Sequence, residues 1–179
     1  SEAKFVWLLS DDDKIYPTAV TTLLRKLKEN TDIVFCFINY DISVNNLLEK
    51  SRSAINQDVL APGEKLVALT NFAFSFVSSC VFKRVSWLEN DPETFFGTQW
   101  IHAYMVRKIL TLGDALLIAE PLITMRGLDL KSSREFKRGE GLAFDFYVMA
   151  HLKIVEFAYS LENYGYDEET SRQVKKIVW

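Results

Sequence analysis

The sequence predicts an α/β fold, and three features carry that prediction. Two continuous apolar runs, Phe5 to Leu9 and Ile33 to Ile38, read as strands buried on both faces. Between them Ala19, Val20, Leu23, Leu24 and Leu27 recur at the three-four spacing of an amphipathic helix. Towards the C-terminus the pattern becomes helical, first over Leu142 to Leu161 and then behind Asp167. Strand, helix, strand is a βαβ unit, whose crossover pairs parallel strands.

The elements follow in order. Phe5 to Leu9 ends in Ser10-Asp11-Asp12-Asp13, and Pro17 suits the first turn of the next helix. Thr31-Asp32 ends that helix. Asn39 to Gln57 is polar and reads as loop, with Asn45-Asn46 as a turn signal. Pro62-Gly63 opens a short helix bearing Leu66, Val67 and Leu69. Phe74 to Phe82 mixes aromatics with small hydroxyls and reads as helix or strand, since periodicity alone does not decide; a strand near Ser79 to Lys83, then a short helix through Trp87, is the favoured reading. Asn90-Asp91-Pro92 reads as loop. Gly97 to Leu112 reads as a helix with Ile101, Met105, Ile109 and Leu112 in one row and His102, Val106 and Leu110 beside it. Ala115 to Ile118 and Leu122 to Met125 are extended runs around Pro121. Gly127 to Gly141 carries Lys131, Arg134, Lys137 and Arg138 and reads as a mobile basic loop. Asp167 is placed to cap a last helix through Val178.

Composition narrows the function. At 179 residues the chain has the length of one domain with a sizeable core. With 21 basic and 24 acidic residues, net charge −3, a dedicated nucleic-acid binder is not expected. No apolar run approaches the length of a transmembrane segment. Cys36 and Cys80 lie far apart in apolar runs and read as buried thiols in a reducing compartment. Ser1-Glu2-Ala3-Lys4 is neither an initiator methionine nor a signal peptide. The chain reads as cut from a longer protein or as carrying a short added leader.

The acidic turn is the strongest chemical signal. Ligands of open α/β sheets bind at the C-terminal ends of strands, where Asp11, Asp12 and Asp13 fall. Adjacent like charges repel unless a cation or hydrogen-bond donors offset them. Mg²⁺ or Mn²⁺ suits such oxygen ligands and commonly bridges to phosphates. The bland alternative is a solvated turn in which one Asp caps the next helix. Asp11 and Asp13 also have the spacing of a haloacid-type phosphatase pair, but the later lysine and acidic elements are not recognisable.

Phe5-Val-Trp-Leu-Leu-Ser-Asp-Asp-Asp-Lys-Ile-Tyr-Pro, with its helix, resembles the DXD segment of family 2 glycosyltransferases. Phe76-Val-Ser-Ser-Cys-Val-Phe-Lys-Arg resembles their acceptor-side strand. Phe95-Phe-Gly-Thr-Gln-Trp-Ile-His resembles the start of the helix carrying their catalytic base, most like abequosyltransferase-type members. The likeness covers about Phe5 to Gly127. It implies a GT-A-like mixed sheet with flanking helices, the N-terminal nucleotide-binding half largely absent. Residues 1–127 would be the DXD and acceptor-side portion; 128–179 would be a basic loop and C-terminal helices packed on it. The implied reaction moves a sugar from a nucleotide-diphospho-sugar donor to a glycan or lipid-linked acceptor, with inversion, in the cytoplasm or at the inner membrane face.

Residue by residue, the resemblance places Asp12 at the main Mn²⁺ or Mg²⁺ ligand position, with Asp13 supporting the metal site and Asp11 against the donor. Ser10 stands where the commonest pattern has its first Asp. The usual base position holds Gln99, after Thr98, and glutamine cannot take a proton as a general base. His102, Asp91 and Glu93 are the substitutes; His102 reads equally as a core histidine, and the two carboxylates as loop residues. Arg126, Arg134 and Arg138 are donor-diphosphate candidates, or solvated charges. Trp87, Trp100 and Gln99 are acceptor candidates. Trp7 and the aromatics Phe144, Phe146, Tyr147 and Phe157 are assigned to packing. A sheet truncated in this way would expose an apolar strand edge. A non-catalytic glycan- or protein-binding domain derived from such an enzyme is the alternative.

Overall fold

The computed structural model describes residues 2–44, 47–49, 55–98, 100–126 and 152–178. Among these, seven strands form one mixed sheet: β1 (Phe5–Trp7), β2 (Lys14–Ile15), β3 (Phe35–Val44), β4 (Leu47–Glu49), β5 (Val59–Pro62), β6 (Cys80–Lys83) and β7 (Asp114–Arg126). The main path runs β1-β6-β3-β7-β2; β4 pairs with β3, and β5 with β7. Helices α1 (Ala19–Glu29), α2 (Gly63–Thr70), α3 (Arg84–Glu89) and α4 (Ile101–Ile109) flank it. Helix α5, described over 152–160, and α6 (Glu168–Ile177) follow. The fold is therefore mixed α/β, as the patterning predicts.

Several expectations change. The βαβ strands β1 and β3 run in the same direction but do not pair, because β6 lies between them antiparallel to both. The polar stretch after Ile38 is not all loop. Asn39-Tyr40-Asp41-Ile42-Ser43-Val44 alternates polar and apolar, and β3 continues through it beside β7. The Asn45-Asn46 turn lies outside the described residues. The helix expected from Gly97 begins as α4 at Ile101, after Trp100. Its Met105, Val106, Ile109 and Leu110 are buried as the row predicts, but Leu112 is exposed.

The parallel β3–β7 ladder slips register between Ile38 and Tyr40, where Pro121 interrupts the facing strand. Proline has no N–H for the ladder. Buried Asn39 fills the gap: its Nδ2 donates to the Ala119 carbonyl at 2.9 Å, and its Oδ1 accepts from the Tyr40 N–H at 3.0 Å. Around this ladder Phe35, Phe37, Phe74, Phe82, Met105 and Leu117 are fully buried. Each such side chain contributes about 1.5–3 kcal/mol. Cys36 and Cys80 are buried free thiols; burial pushes both up, Cys80 to about 12.

Strand β1 corrects the expectation of a run buried on both faces. Among the described residues it pairs with β6 alone, and Val6 and Leu9 are exposed. On α1, Ala19, Leu23 and Leu27 are buried, but Val20 and Leu24 are not. An apolar groove of about 460 Å³ runs between β1 and α1, lined in part by Phe5, Trp7, Val20 and Leu24. The expected apolar strand edge is thus present.

The C-terminal helices close on the other elements. Phe157 of α5 meets Phe72 and Phe74 at ring-centroid distances of 5.4 and 5.3 Å. Asp167 caps α6, accepting from the Thr170 N–H at 2.6 Å, and pairs with Lys65 of α2 at 2.5 Å. Lys65 first, and the Thr170 N–H with it, hold the Asp167 carboxyl down at about 2. A carboxylate depressed from an unfolded value of about 3.9 contributes stability above that value and loses it as pH falls through the folded one. The thermal midpoint gap between wild type and Asp167→Asn is expected to be full at about pH 6 and to shrink steadily below about pH 4. A gap that stays constant would mean that the cap's geometry, not its charge, fixes α6.

Candidate functional site

Strands β1, β3 and β7 run in one direction, and the acidic turn leaves the C-terminal end of β1. The turn then leads to β2, which joins the opposite end of the sheet path beside β7. Two contacts from distant sequence hold it. Ser78 lies in the 3-10 turn Val77–Ser79 just before β6; its hydroxyl accepts from the Ser10 N–H at 2.9 Å and donates to Asp13 Oδ2 at 2.6 Å. The Arg126 N–H at the end of β7 donates to Asp13 Oδ1 at 3.3 Å. Trp7 Nε1 donates to the Ser78 carbonyl at 2.8 Å, so Trp7 also braces the turn.

The carboxylates therefore differ. Asp13 is half-buried, with a donor on each oxygen. Burial raises its pKa; the bonds from Ser78 and Arg126 oppose this, and the charges of Asp12 and Asp11 add to it. Asp11 and Asp12 are exposed, and Asp12 Oδ1 accepts from the Ser10 hydroxyl at 2.6 Å. No Asp caps the next helix: α1 begins after Thr18 without a side-chain cap. Among the described residues no three His, Cys, Asp or Glu side chains converge as a ready-made metal cage. Mg²⁺ and Mn²⁺ need no such cage, since one or two carboxylates with phosphate oxygens and water suffice. The exposed Asp11 and Asp12, beside the half-buried Asp13, suit that open arrangement.

His102 sits in the first turn of α4, 7% exposed, with Trp100 stacked against it at 6.3 Å between ring centroids. Its Nε2 donates to the Ser75 carbonyl at 2.8 Å, which leaves Nδ1 as the basic nitrogen. Burial lowers its pKa, against the pull of that carbonyl, so the ring is neutral near pH 7. Ser75 and Ser78 belong to consecutive 3-10 turns, so one short stretch touches both His102 and the acidic turn. Asp91 has left-handed backbone (φ 58°), is exposed, and accepts from the Thr94 hydroxyl at 2.8 Å; Glu93 is exposed nearby. Both sit as loop carboxylates around the Pro92–Phe95 turn.

No protein-family model matches this chain, and no curated protein matches its sequence. The functional reading therefore rests on residues and their geometry.

The other candidates divide. Arg126 reaches the turn through its main chain, with its side chain exposed. Trp87 packs edge-on against Phe82 at 4.7 Å, as a core-flanking ring does. Trp100 lines a narrow cleft with Phe72, Tyr104 and Phe157. Gln99, Arg134 and Arg138 lie outside the described residues, as do the rest of the basic loop and Phe144, Phe146 and Tyr147. Sequence reasoning missed Ser78, which pins the turn, and Asp41, which accepts from the Tyr16 hydroxyl at 2.8 Å. The alternation around Asp41 was the one available signal for it. Ser78 had none, because its partners lie more than sixty residues away.

Proposed function

We propose that this chain carries the acidic-turn and acceptor side of a metal-dependent, inverting glycosyltransferase of the family 2 type, with a GT-A-like sheet. The substrates are a nucleotide-diphospho-sugar and a glycan or lipid-linked acceptor, met in the cytoplasm or at the inner membrane face. The observation that carries this reading is the pinned acidic turn: three carboxylates after a strand, fixed by Ser78 and by the end of β7. That end of a sheet is where α/β proteins bind ligands. Among the described residues, no helix is long and apolar enough to cross a membrane.

Asp12 and Asp11 would hold the cation and orient the donor diphosphate, while Asp13, tied to Ser78 and Arg126, fixes the turn. Mn²⁺ or Mg²⁺, when bound, offsets the charge of the departing diphosphate. Arg126, with Arg134 and Arg138, would add positive charge to the donor side. The neutral His102, through Nδ1, or Asp91 would take the acceptor's proton as its oxygen attacks the anomeric carbon. Trp100 and Trp87, with Gln99, would border the acceptor.

A non-catalytic glycan- or protein-binding domain of the same ancestry is the second reading. The burial of His102 and the commitment of its Nε2 to Ser75 favour it, since a buried ring meets substrate poorly.

The test is a thermal-shift titration with Mn²⁺ and UDP, GDP, CDP or dTDP, on wild type and Asp12→Ala. A ligand of the native state at about a hundred times its Kd stabilises by about 2.7 kcal/mol. The expected result is a Mn²⁺-dependent rise in midpoint for one nucleotide, absent in Asp12→Ala. No rise with any nucleotide, or an equal rise in the variant, overturns the assignment.

A further inference from the structure

Beyond the acidic turn, strands β2, β3 and β7 share a polar strip. In their ladders Thr124 of β7 stands opposite both Lys14 of β2 and Asp41 of β3, and Arg126 stands opposite Ser43. Residues opposite one another in a ladder face the same way, and their neighbours along each strand face the other. Lys14, Asp41, Ser43, Thr124 and Arg126 therefore share one face. The alternate residues Tyr40, Ile42, Ile123 and Met125 face the core: Tyr40 and Ile123 are buried, and Ile42 and Met125 pack against them. Tyr16, just after β2, joins the strip by donating from its hydroxyl to Asp41 Oδ2 at 2.8 Å. The strip ends at Arg126, whose N–H holds Asp13 of the acidic turn.

A merely solvated sheet face accounts for Lys14 and Arg126, which are exposed. It does not account for Asp41. Aspartate is disfavoured inside strands, yet this one is half-buried in the ladder that the two central strands share. Among the described residues no Lys or Arg lies within 4.0 Å of it; its partner is a neutral hydroxyl. A carboxylate acceptor bonded by the Tyr16 hydroxyl, on a strand face that also carries Thr124 and Ser43, matches a neutral ligand dense in hydroxyl groups. It does not match a phosphate, which Asp41 would repel.

We propose that this strip is a saccharide subsite, in which Asp41, with Tyr16 and Thr124, binds hydroxyl groups of a sugar lying beside the acidic turn. Its assignment as the acceptor subsite rests on the transferase reading; its ligand class rests on the strip alone.

The test is saturation-transfer NMR on the full chain with the methyl glycosides of glucose, galactose, mannose, rhamnose and N-acetylglucosamine. Wild type, Asp41→Asn and Tyr16→Phe are compared, with thermal midpoints confirming that each is folded. At least one glycoside is expected to bind wild type. Asp41→Asn is expected to weaken it roughly tenfold or more, because a hydrogen bond to a charged acceptor is lost. Tyr16→Phe, which frees a carboxylate oxygen but removes a hydroxyl, is expected to change affinity by a smaller factor. Absence of binding by all five glycosides, or binding unchanged in both variants, overturns the subsite. Glycoside binding without the Mn²⁺-dependent nucleotide shift keeps the subsite and removes the transferase reading. The shift without glycoside binding does the reverse.

Discussion

Gly63→Ala is expected to lower stability by about 3 kcal/mol or more, roughly 6–12 °C in Tm for a chain of this length. Gly63 begins α2 and is buried where β5 turns into the helix. Its N–H donates to the Gly113 carbonyl at 2.9 Å, while the preceding Pro62 pairs with Asp114 at the start of β7. Three chain segments thus meet main chain to main chain. A Cβ at Gly63 would collide with the Leu110 carbonyl oxygen, and would lie 2.7 Å from the Gly113 carbonyl oxygen and 2.9 Å from Leu110 Cα. All three are backbone atoms, so no side-chain rotation relieves the overlap. Either α2 lifts from the 110–113 turn or the start of β7 shifts, and both carry buried residues. Gly165→Ala is the control. Gly165 has φ +87°, and nothing lies within 4 Å of the place a methyl group would take, so alanine there meets only the left-handed penalty of about 1–2 kcal/mol. Thermal midpoints of the two variants decide it: equal losses would mean that the close approach at Gly63 does not exist.

How much of this was legible in the sequence depends on where each signal lives. Local patterning located α1, α2, β7 and the cap of α6, because each depends on residues a few positions apart, whereas over Phe74 to Phe82 periodicity left helix and strand open and β6 follows two 3-10 turns there. The neighbours of a strand do not. Phe5 to Leu9 is apolar enough for a central strand, but among the described residues β1 stands at an edge, and its partner comes from Cys80–Lys83. The same blindness made β1 and β3 look like adjacent strands, since nothing local says that β6 enters between them. The segment after Ile38 was misread for another reason: its polar residues suggested a loop, while their alternation indicated a strand with one face away from the core.

The candidate site shows the same division. The position of the acidic turn, at the end of a strand, was legible. The inequality of its three carboxylates was not, since Asp13 owes its partial burial and bonds to Ser78 and Arg126. The histidine left open between core and site is buried against Ser75, on the stretch that continues to Ser78. His102 is thus packed as a core residue, while the stretch that holds it also reaches the acidic turn.

Arg107→Ala is expected to cost about 3 kcal/mol or more, comparable to truncating a buried aromatic side chain. Arg107 lies in α4 between Val106 and Lys108 and is 3% exposed. Its guanidinium carbon sits 3.8 Å from the Tyr164 ring centroid, 5.1 Å from that of Tyr104 and 5.7 Å from that of Phe157. Nη1 donates to the Ser160 hydroxyl at 2.5 Å and Nη2 to the Tyr164 hydroxyl at 2.7 Å. Among the described residues no carboxylate lies within 4.0 Å of it, so the rings and hydroxyls hold the charge. Burial lowers its pKa, with Tyr164, Tyr104, the charge of Glu156 and Tyr166 acting against that, and a guanidinium stays charged regardless. Among the described residues the buried Nε has no hydrogen-bond partner, which sets part of the gain back. What remains favourable is the joint: one side chain ties α4 to α5 and to the Leu161–Tyr164 turn behind it. Alanine would remove three ring contacts and two bonds and leave a cavity lined by Tyr104 and Phe157. Lysine keeps the charge but not the planar fork, so Arg107→Lys is expected to fall between alanine and wild type. Urea midpoints give the size of the effect, and amide exchange over 152–178 gives its place, since α5 and α6 are expected to lose protection first. A midpoint for Arg107→Ala at or above wild type would show that burying the guanidinium costs more than its rings return, and that α5 is held by Phe157 and its aromatic partners alone.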